Sequence, residues 1–216
     1  MRVGLITDTH LPSLMWSLDE LGPEVADFLS TVELILHAGD VTAPRVIEWC
    51  EQFAPVRVAR GNNDLFDHPA MEEVQLLELE GWRIGMAHEL RPESRPIRDI
   101  LDTCLGGEQV DILIGGDTHV ERLEYRDDVL LINSGSPNLP HHKETRLGTL
   151  GLLVLERGRV HAEIIHLGHT DGMPNPATAK HLEIHNGGIH RASMGGEAVE
   201  PHEYDGVRRL DRPTQS

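Results

Sequence analysis

A chain of 216 residues is long enough for one sizeable core, and its length alone asks for no second domain. Its 36 acidic against 19 basic residues give a formal net charge of -17, which argues against nucleic acid as a resting partner except where metals or local arginines reverse the field. Cys50 and Cys104 are the only cysteines and lack metal-ligand spacing, so they read as reduced thiols of a cytoplasmic protein; with no basic leader and nowhere 18 consecutive apolar residues, neither a targeting segment nor a membrane span is expected.

The chain opens on an apolar strand, MRVGLIT, followed at once by Asp8-Thr9-His10. Val25, Phe28, Leu29 and Val32 then recur at helical spacing behind Pro23, which suits a first turn. A second strand, LILHA, runs into Gly39-Asp40, and APRVIEWCEQF gives a helix with Val46, Cys50 and Phe53 on one face. VRVAR leads into Gly61-Asn62-Asn63-Asp64, and VQLLELEGWRIGMA reads as a hairpin turning at Gly81 and ending at His88. A third helix follows Pro96, with Ile97, Ile100, Leu101, Cys104 and Leu105 apolar and Gly106-Gly107 as its stop. ILIG then delivers Gly116-Asp117-Thr118-His119. RLEYRDDVLLIN and TLGLLVLERGRVHAEIIHL complete the pattern as hairpins turning at Asp127-Asp128 and Arg157-Gly158.

Alternating strands and helices over the first 120 residues predict a largely parallel central sheet, and the later hairpins a second, largely antiparallel one packed beside it. With helices outside, the fold class is α/β, a four-layer αββα sandwich of two mixed sheets. Residues 1–168 form the predicted domain; 169–216, rich in Gly, Pro, Asn and Thr, read as a mobile extension whose His169, His181, His185, His190 and His202 are solvated. Its removal is expected to leave most stability and activity in place.

Five strands thus end in oxygen or imidazole donors, and strand ends in an open α/β sheet converge although they are distant in sequence. Converging donors of this kind describe a two-metal hydrolase site. Asp40 stands between the other clusters in chain order and is the candidate bridge. Asp8 and His10 can point to one metal together, Asn62 offers a neutral oxygen after the sharp departure that Gly61 allows, and His88, Asp117 and His119 complete two coordination shells. His37, inside its strand, reads as a core histidine supporting the site.

The ordered set DTH, GD, GNND, H and GDTH, followed by INSGSPNLP at 132–140, resembles the calcineurin-like metallophosphoesterase superfamily, in particular its small YfcE-like phosphodiesterase branch; the likeness runs from Met1 to about Leu167. The resemblance implies a metallophosphoesterase sandwich with Asp8, His10, Asp40 and His119 on one metal and Asp40, Asn62, His88 and position 117 on the other. It also implies two divalent ions, manganese first and magnesium, iron or zinc as alternatives, with a hydroxide held between them attacking phosphorus in line; catalysis then falls to His10, Asn62 and Asp40. Two positions depart from the pattern: Asp117 stands where the family commonly has His, and Asn63 stands where many members carry a proton-donating His. After SGSP, where the branch often has Arg, the chain reads Asn138-Leu139-Pro140-His141-His142-Lys143, and the paired histidines could contact phosphate or supply that proton. The expected function is a phosphodiesterase with a small phosphodiester or phosphomonoester substrate, no stable nucleic-acid partner and no membrane, homo-oligomerisation being left open. The alternative is a non-catalytic scaffold like the retromer subunit, which loss of the loop histidine would favour; here His10 is present.

Overall fold

The computed structural model describes residues 1–11, 15–142 and 144–206. In chain order its principal elements are β1 (Arg2–Ile6), α1 (Glu24–Leu29), β2 (Leu34–His37), α2 (Pro44–Cys50), β3 (Val56–Ala59), β4 (Met71–Glu72), β5 (Val74–Leu79), β6 (Trp82–Ala87), α3 (Ile97–Cys104), β7 (Ile112–Gly115), β8 (Arg122–Arg126), β9 (Val129–Asn133), β10 (Thr149–Glu156), β11 (Arg159–His166), β12 (Lys180–His185), β13 (Gly188–Met194) and β14 (Glu197–Val199). β1 and β7 are buried on both faces, which is why they read as unbroken apolar runs. α2 starts with Pro44 in its first turn, where a missing N–H costs nothing. α3 ends where Gly106 and Gly107 take positive φ (64° and 88°) and the Gly107 N–H returns to the Leu101 carbonyl.

The first sheet runs β14-β13-β12-β11-β10-β1-β2-β3-β4 and the second β5-β6-β7-β9-β8. Val3, Leu5, Leu36 and Ala59 of the first meet Ile84, Met86, Ile112 and Ile132 of the second in an apolar core between the sheets. α1 and α2 cover the outer face of the first sheet through Val25, Leu29, Val46 and Ile47, and α3 covers the second through Ile97, Ile100 and Leu101. The four-layer αββα arrangement is therefore present.

The partition of strands differs from the sequence expectation in two ways. The β10/β11 hairpin joins the first sheet, with β10 antiparallel to β1 (Leu5 opposite Gly151). The centre of the second sheet is parallel, β6 to β7 and β7 to β9. Hairpin signals fix a strand's local partner but not its outer one. As a result the donor clusters divide: those after β1, β2 and β3 belong to one sheet, those after β6 and β7 to the other, and all face a common end of the sandwich.

The reading of residues 169–216 as a mobile appendage needs correction for the part described. β12 pairs antiparallel with β11 from Arg159 opposite His185 to Ile164 opposite Lys180, and β13 and β14 continue the sheet. Leu182 and Ile184 are essentially unexposed and complete the core between the sheets. The alternation His181, Leu182, Glu183, Ile184, His185 is that of a half-buried strand, and Asn186-Gly187, both at positive φ, make the hairpin turn. His181, His185 and His190 each pair with another ring: His181 Nε2 lies 3.1 Å from His161 Nδ1, and the rings of His185 and His190 stack. Residues 207–216 lie outside the described residues. Among the described residues no helix is long and apolar enough to cross a membrane.

Candidate metal centre

Five of the seven donors sit where the backbone reverses after their strands. Asp8, His10, Asp40, Asp117 and His119 all have φ between 46° and 69°, a left-handed conformation that costs a non-glycine residue on the order of 1–3 kcal/mol. Surrounding bonds impose it: the Asp8 N–H donates to the Gly39 carbonyl (2.9 Å) and the His10 N–H to the Asp40 carbonyl (3.0 Å). Gly39 itself has φ 96°, and a Cβ there would stand 2.7 Å from His88 Nδ1 and 2.8 Å from the Gly61 nitrogen. A glycine is required for three clusters to approach this closely.

The reversals bring two donor groups together, Asp8 with His10 and His119, and Asp8 with Asp40 and His88, the ligand atoms of each lying within 4.8 Å of one another. Asp40 Oδ2 lies 3.3 Å from His10 Nε2 and 3.4 Å from His88 Nε2, so this carboxylate stands between imidazoles of the two groups. His119 Nε2 is 3.1 Å from His10 Nε2 and 3.6 Å from Asp8 Oδ1. Ring orientation is set from behind: His88 Nδ1–H donates to the Ala38 carbonyl (2.6 Å) and His119 Nδ1–H to the Leu139 carbonyl (2.9 Å), turning both Nε2 atoms into the cluster.

The donor set fits divalent ions. His88 Nε2 is buried without an aligned hydrogen-bond partner, a costly situation that coordination would relieve. Among protein charges alone, burial pushes the Asp8 carboxyl up to about 7. Burial opposes ionisation of Asp40 too, but the His88 imidazole and the Asn63 donors hold it below the usual carboxylate range. His88 moves up to about 9 although burial opposes its charge, because Asp40 and Asp8 face it. Burial lowers His10, and lowers His119 to about 4. A cluster that holds protons on His88 and partly on Asp8 near neutrality would release them to an incoming metal.

Asp117 and Asn62 are placed less simply. Asp117 Oδ1 is 4.0 Å from His88 Nε2, within reach of the second group, yet Arg91 Nε lies 2.5 Å from Asp117 Oδ2 in an ion pair off the hydrogen-bond line, with Arg91 Nη2 3.2 Å from Oδ1. The sequence reading missed Arg91, which has no motif around it. Asn62 is exposed and lines the open pocket over the cluster together with His10, Asp40, Asn63, Asp117, His119, Leu139 and His142. Its neighbours do the holding: Asn63 donates from its backbone N (2.9 Å) and Nδ2 (2.7 Å) to the Asp40 carboxylate, and buried Asp64 accepts from the backbone N–H groups of Asp40, Thr42 and Gly61. His37 is buried, contacts Thr9 Oγ1 at 3.3 Å and is driven by burial to about 3, as a neutral supporting histidine.

The Ser134-Gly135-Ser136 turn braces the first loop: Ser136 Oγ donates to the Asp8 carbonyl and Asn138 Nδ2 to the Thr9 carbonyl. Beyond it, the rings of His142 and His119 pack with centroids 3.9 Å apart, and His141 Nε2 lies 2.8 Å from Glu121 Oε2. Lys143 lies outside the described residues. Glu121 is buried, which opposes its charge, but His141, Lys180 and the Thr178 N–H bring it down to about 2. A depressed carboxyl stabilises the fold above its unfolded value and loses that contribution as pH falls through the folded one. The difference in melting temperature between wild type and Glu121→Gln should therefore narrow as pH falls from about 4.5 toward 2. A constant difference across that range, read by circular dichroism, would refute the ion cluster.

Residues 1–158 match the family model of the calcineurin-like phosphoesterase superfamily domain. The chain belongs to this superfamily. A protein of Methanothermobacter thermautotrophicus named a probable metallophosphoesterase is 34% identical over 171 residues, 78% of this chain and 94% of that one. A Methanocaldococcus jannaschii protein named a phosphodiesterase is 25% identical over 150 residues, covering 62% of this chain and 83% of its own. Among solved structures, Vps29 of Entamoeba histolytica complexed with zinc superposes with a TM-score of 0.66 at 21% identity, covering 86% of this chain and 99% of that one, a likeness of fold. β12 to β14 fall beyond the matched domain.

Proposed function

We propose that the chain is a metal-dependent phosphodiesterase whose two divalent ions, manganese in preference to magnesium, iron or zinc, are held by Asp8, His10, Asp40, Asn62, His88, Asp117 and His119. The observation that carries this reading is the pair of donor groups sharing Asp8, with the Asp40 carboxylate between their imidazoles and the buried His88 Nε2 turned inward without an aligned hydrogen-bond partner. The phosphodiesterase name of one relative supports the substrate class, and zinc bound by a protein of the same fold supports divalent-metal binding. The ions would supply Lewis acidity toward phosphoryl oxygens and clamp the substrate. The protein's own contribution is orientation: Ala38 and Leu139 fix the imidazoles, Asn63 and Asp64 fix Asp40, and Asn62 and His142 stand at the mouth where a substrate enters. The test is a matrix of metals against aryl diesters, aryl monoesters, cyclic nucleotides and nucleotide diphosphate derivatives. Manganese-stimulated turnover of an activated diester, lost in a folded His10→Ala, is the expected result; turnover with no metal, or a His10→Ala variant equal to wild type under saturating metal, would sink it.

Asp117 bears on the choice between diester and monoester. A carboxylate in place of an imidazole hardens the second site and cancels one positive charge, which weakens the pull on a dianionic monoester relative to a monoanionic diester. Asp117→His should shift metal preference toward zinc and raise monoesterase relative to diesterase activity. An unchanged ratio with unchanged metal affinity would show that Asp117 serves Arg91 rather than the metal.

A further inference from the structure

The buried carboxylate of Glu121 sits two residues beyond His119 and is met from three sides. His141 Nε2 reaches one oxygen, while the Thr178 backbone N–H (3.0 Å) and Lys180 Nζ (3.3 Å) reach the other. Lys180 Nζ also donates to the Glu121 carbonyl at 2.8 Å. A lysine this deeply buried is rare and stays charged only where it is paired. His141 in turn carries two further contacts into the pocket: its backbone N–H donates to the His119 carbonyl (2.9 Å), and its neighbour His142 lays its ring on the His119 ring. Both His141 and His142 have left-handed backbones (φ 55° and 54°), a conformation that costs a non-glycine residue on the order of 1–3 kcal/mol.

We propose that Lys180 is a positioning residue of the metal pocket: from a strand beyond the matched phosphoesterase domain it fixes Glu121, which anchors His141 and thereby seats His119 and His142 at the pocket mouth. The proposal rests on the metal-pocket reading above only for its consequence, not for its geometry. The extension is then part of the working site. It sets the ring that closes the first donor group and the histidine facing the substrate, so its loss acts on metal and substrate binding before it acts on the chemistry.

The test compares full-length Lys180→Met, which keeps the apolar stem and removes the ammonium, with Leu182→Ala, which loosens the same strand without touching Glu121. Glu121→Gln combined with Lys180→Met covers the case in which the single variant, left with a less compensated buried carboxylate, fails to fold. In apo protein, the imidazole resonances of His119 and His142 should shift in the Lys180 variants, while those of His37 stay in place. Manganese affinity, titrated calorimetrically with the metal alone, should fall about 10- to 100-fold, as when a group behind a metal ligand is removed. KM for an activated diester should rise more than kcat falls. Unmoved His119 and His142 resonances in the folded variants, or an equal loss of metal affinity in Leu182→Ala, would overturn the proposal. A wild type that binds no divalent metal would instead overturn the metal-pocket reading, with the resonances still deciding the positioning of His119.

Discussion

Asp40→Asn should abolish metal-stimulated hydrolysis while leaving a folded protein. Asp40 Oδ2 lies between His10 and His88, so one substitution weakens both donor groups, whereas each histidine serves one. Losing a group that merely supports a ligand costs 10- to 100-fold, and removing a carboxylate that lies against imidazoles of both groups should cost more than about 100-fold in kcat/KM. The fold should tolerate the change. The Asp40 main chain stays tied to Asp64, an amide oxygen can still accept from the Asn63 backbone, and removing one of two neighbouring carboxylates relieves repulsion with Asp8. The checks are bound manganese by elemental analysis, turnover of the activated diester, and far-ultraviolet circular dichroism. Near-normal manganese content in Asp40→Asn would exclude Asp40 as a metal ligand.

The donors that were legible in the sequence are those whose chemistry and position coincide: an apolar strand ends, and the next side chains can do little in water-excluded surroundings except bind a cation or each other. Asp8, His10, Asp40, His88 and His119 are of this kind, and the structure gathers them. Gly61-Asn62-Asn63-Asp64 shows the limit. Three polar residues behind a glycine are chemically similar, and the backbone trajectory alone decides that Asn63 and Asp64 hydrogen-bond to Asp40, while Asn62 and Asn63 both line the pocket. Arg91 and Glu121 were invisible for a different reason, since their partners Asp117 and Lys180 lie 26 and 59 residues away and no local pattern links them. The sheet partition failed on similar grounds. The β10/β11 hairpin was plain from its turn, but the choice of β1 as outer neighbour depends on apolar area that only the assembled sandwich presents.

Ending the chain after Gly168 should be the more destructive experiment, reversing the expectation that the extension is dispensable. The cut removes β12 to β14 and with them Leu182 and Ile184, each essentially unexposed between the sheets. Burial of one such side chain stabilises by about 1.5–3 kcal/mol, so the two together contribute roughly 3–6 kcal/mol. Net stabilities of whole domains lie at about 5–15 kcal/mol. The loss also uncovers Val160, Ala162 and Ile164, all fully buried, and leaves the eight residues of β11 as an unpaired edge of the kind that invites aggregation. At this chain length each kcal/mol moves the melting temperature by about 2–4 °C, so a drop on the order of 10 °C or more, or an insoluble product, is the expected outcome. Glu121 simultaneously loses Lys180 and the Thr178 N–H, so any soluble fraction should bind manganese weakly as well. A soluble truncation melting cooperatively within a few degrees of wild type and retaining its manganese affinity would show that β12 to β14 neither complete the core nor reach the pocket.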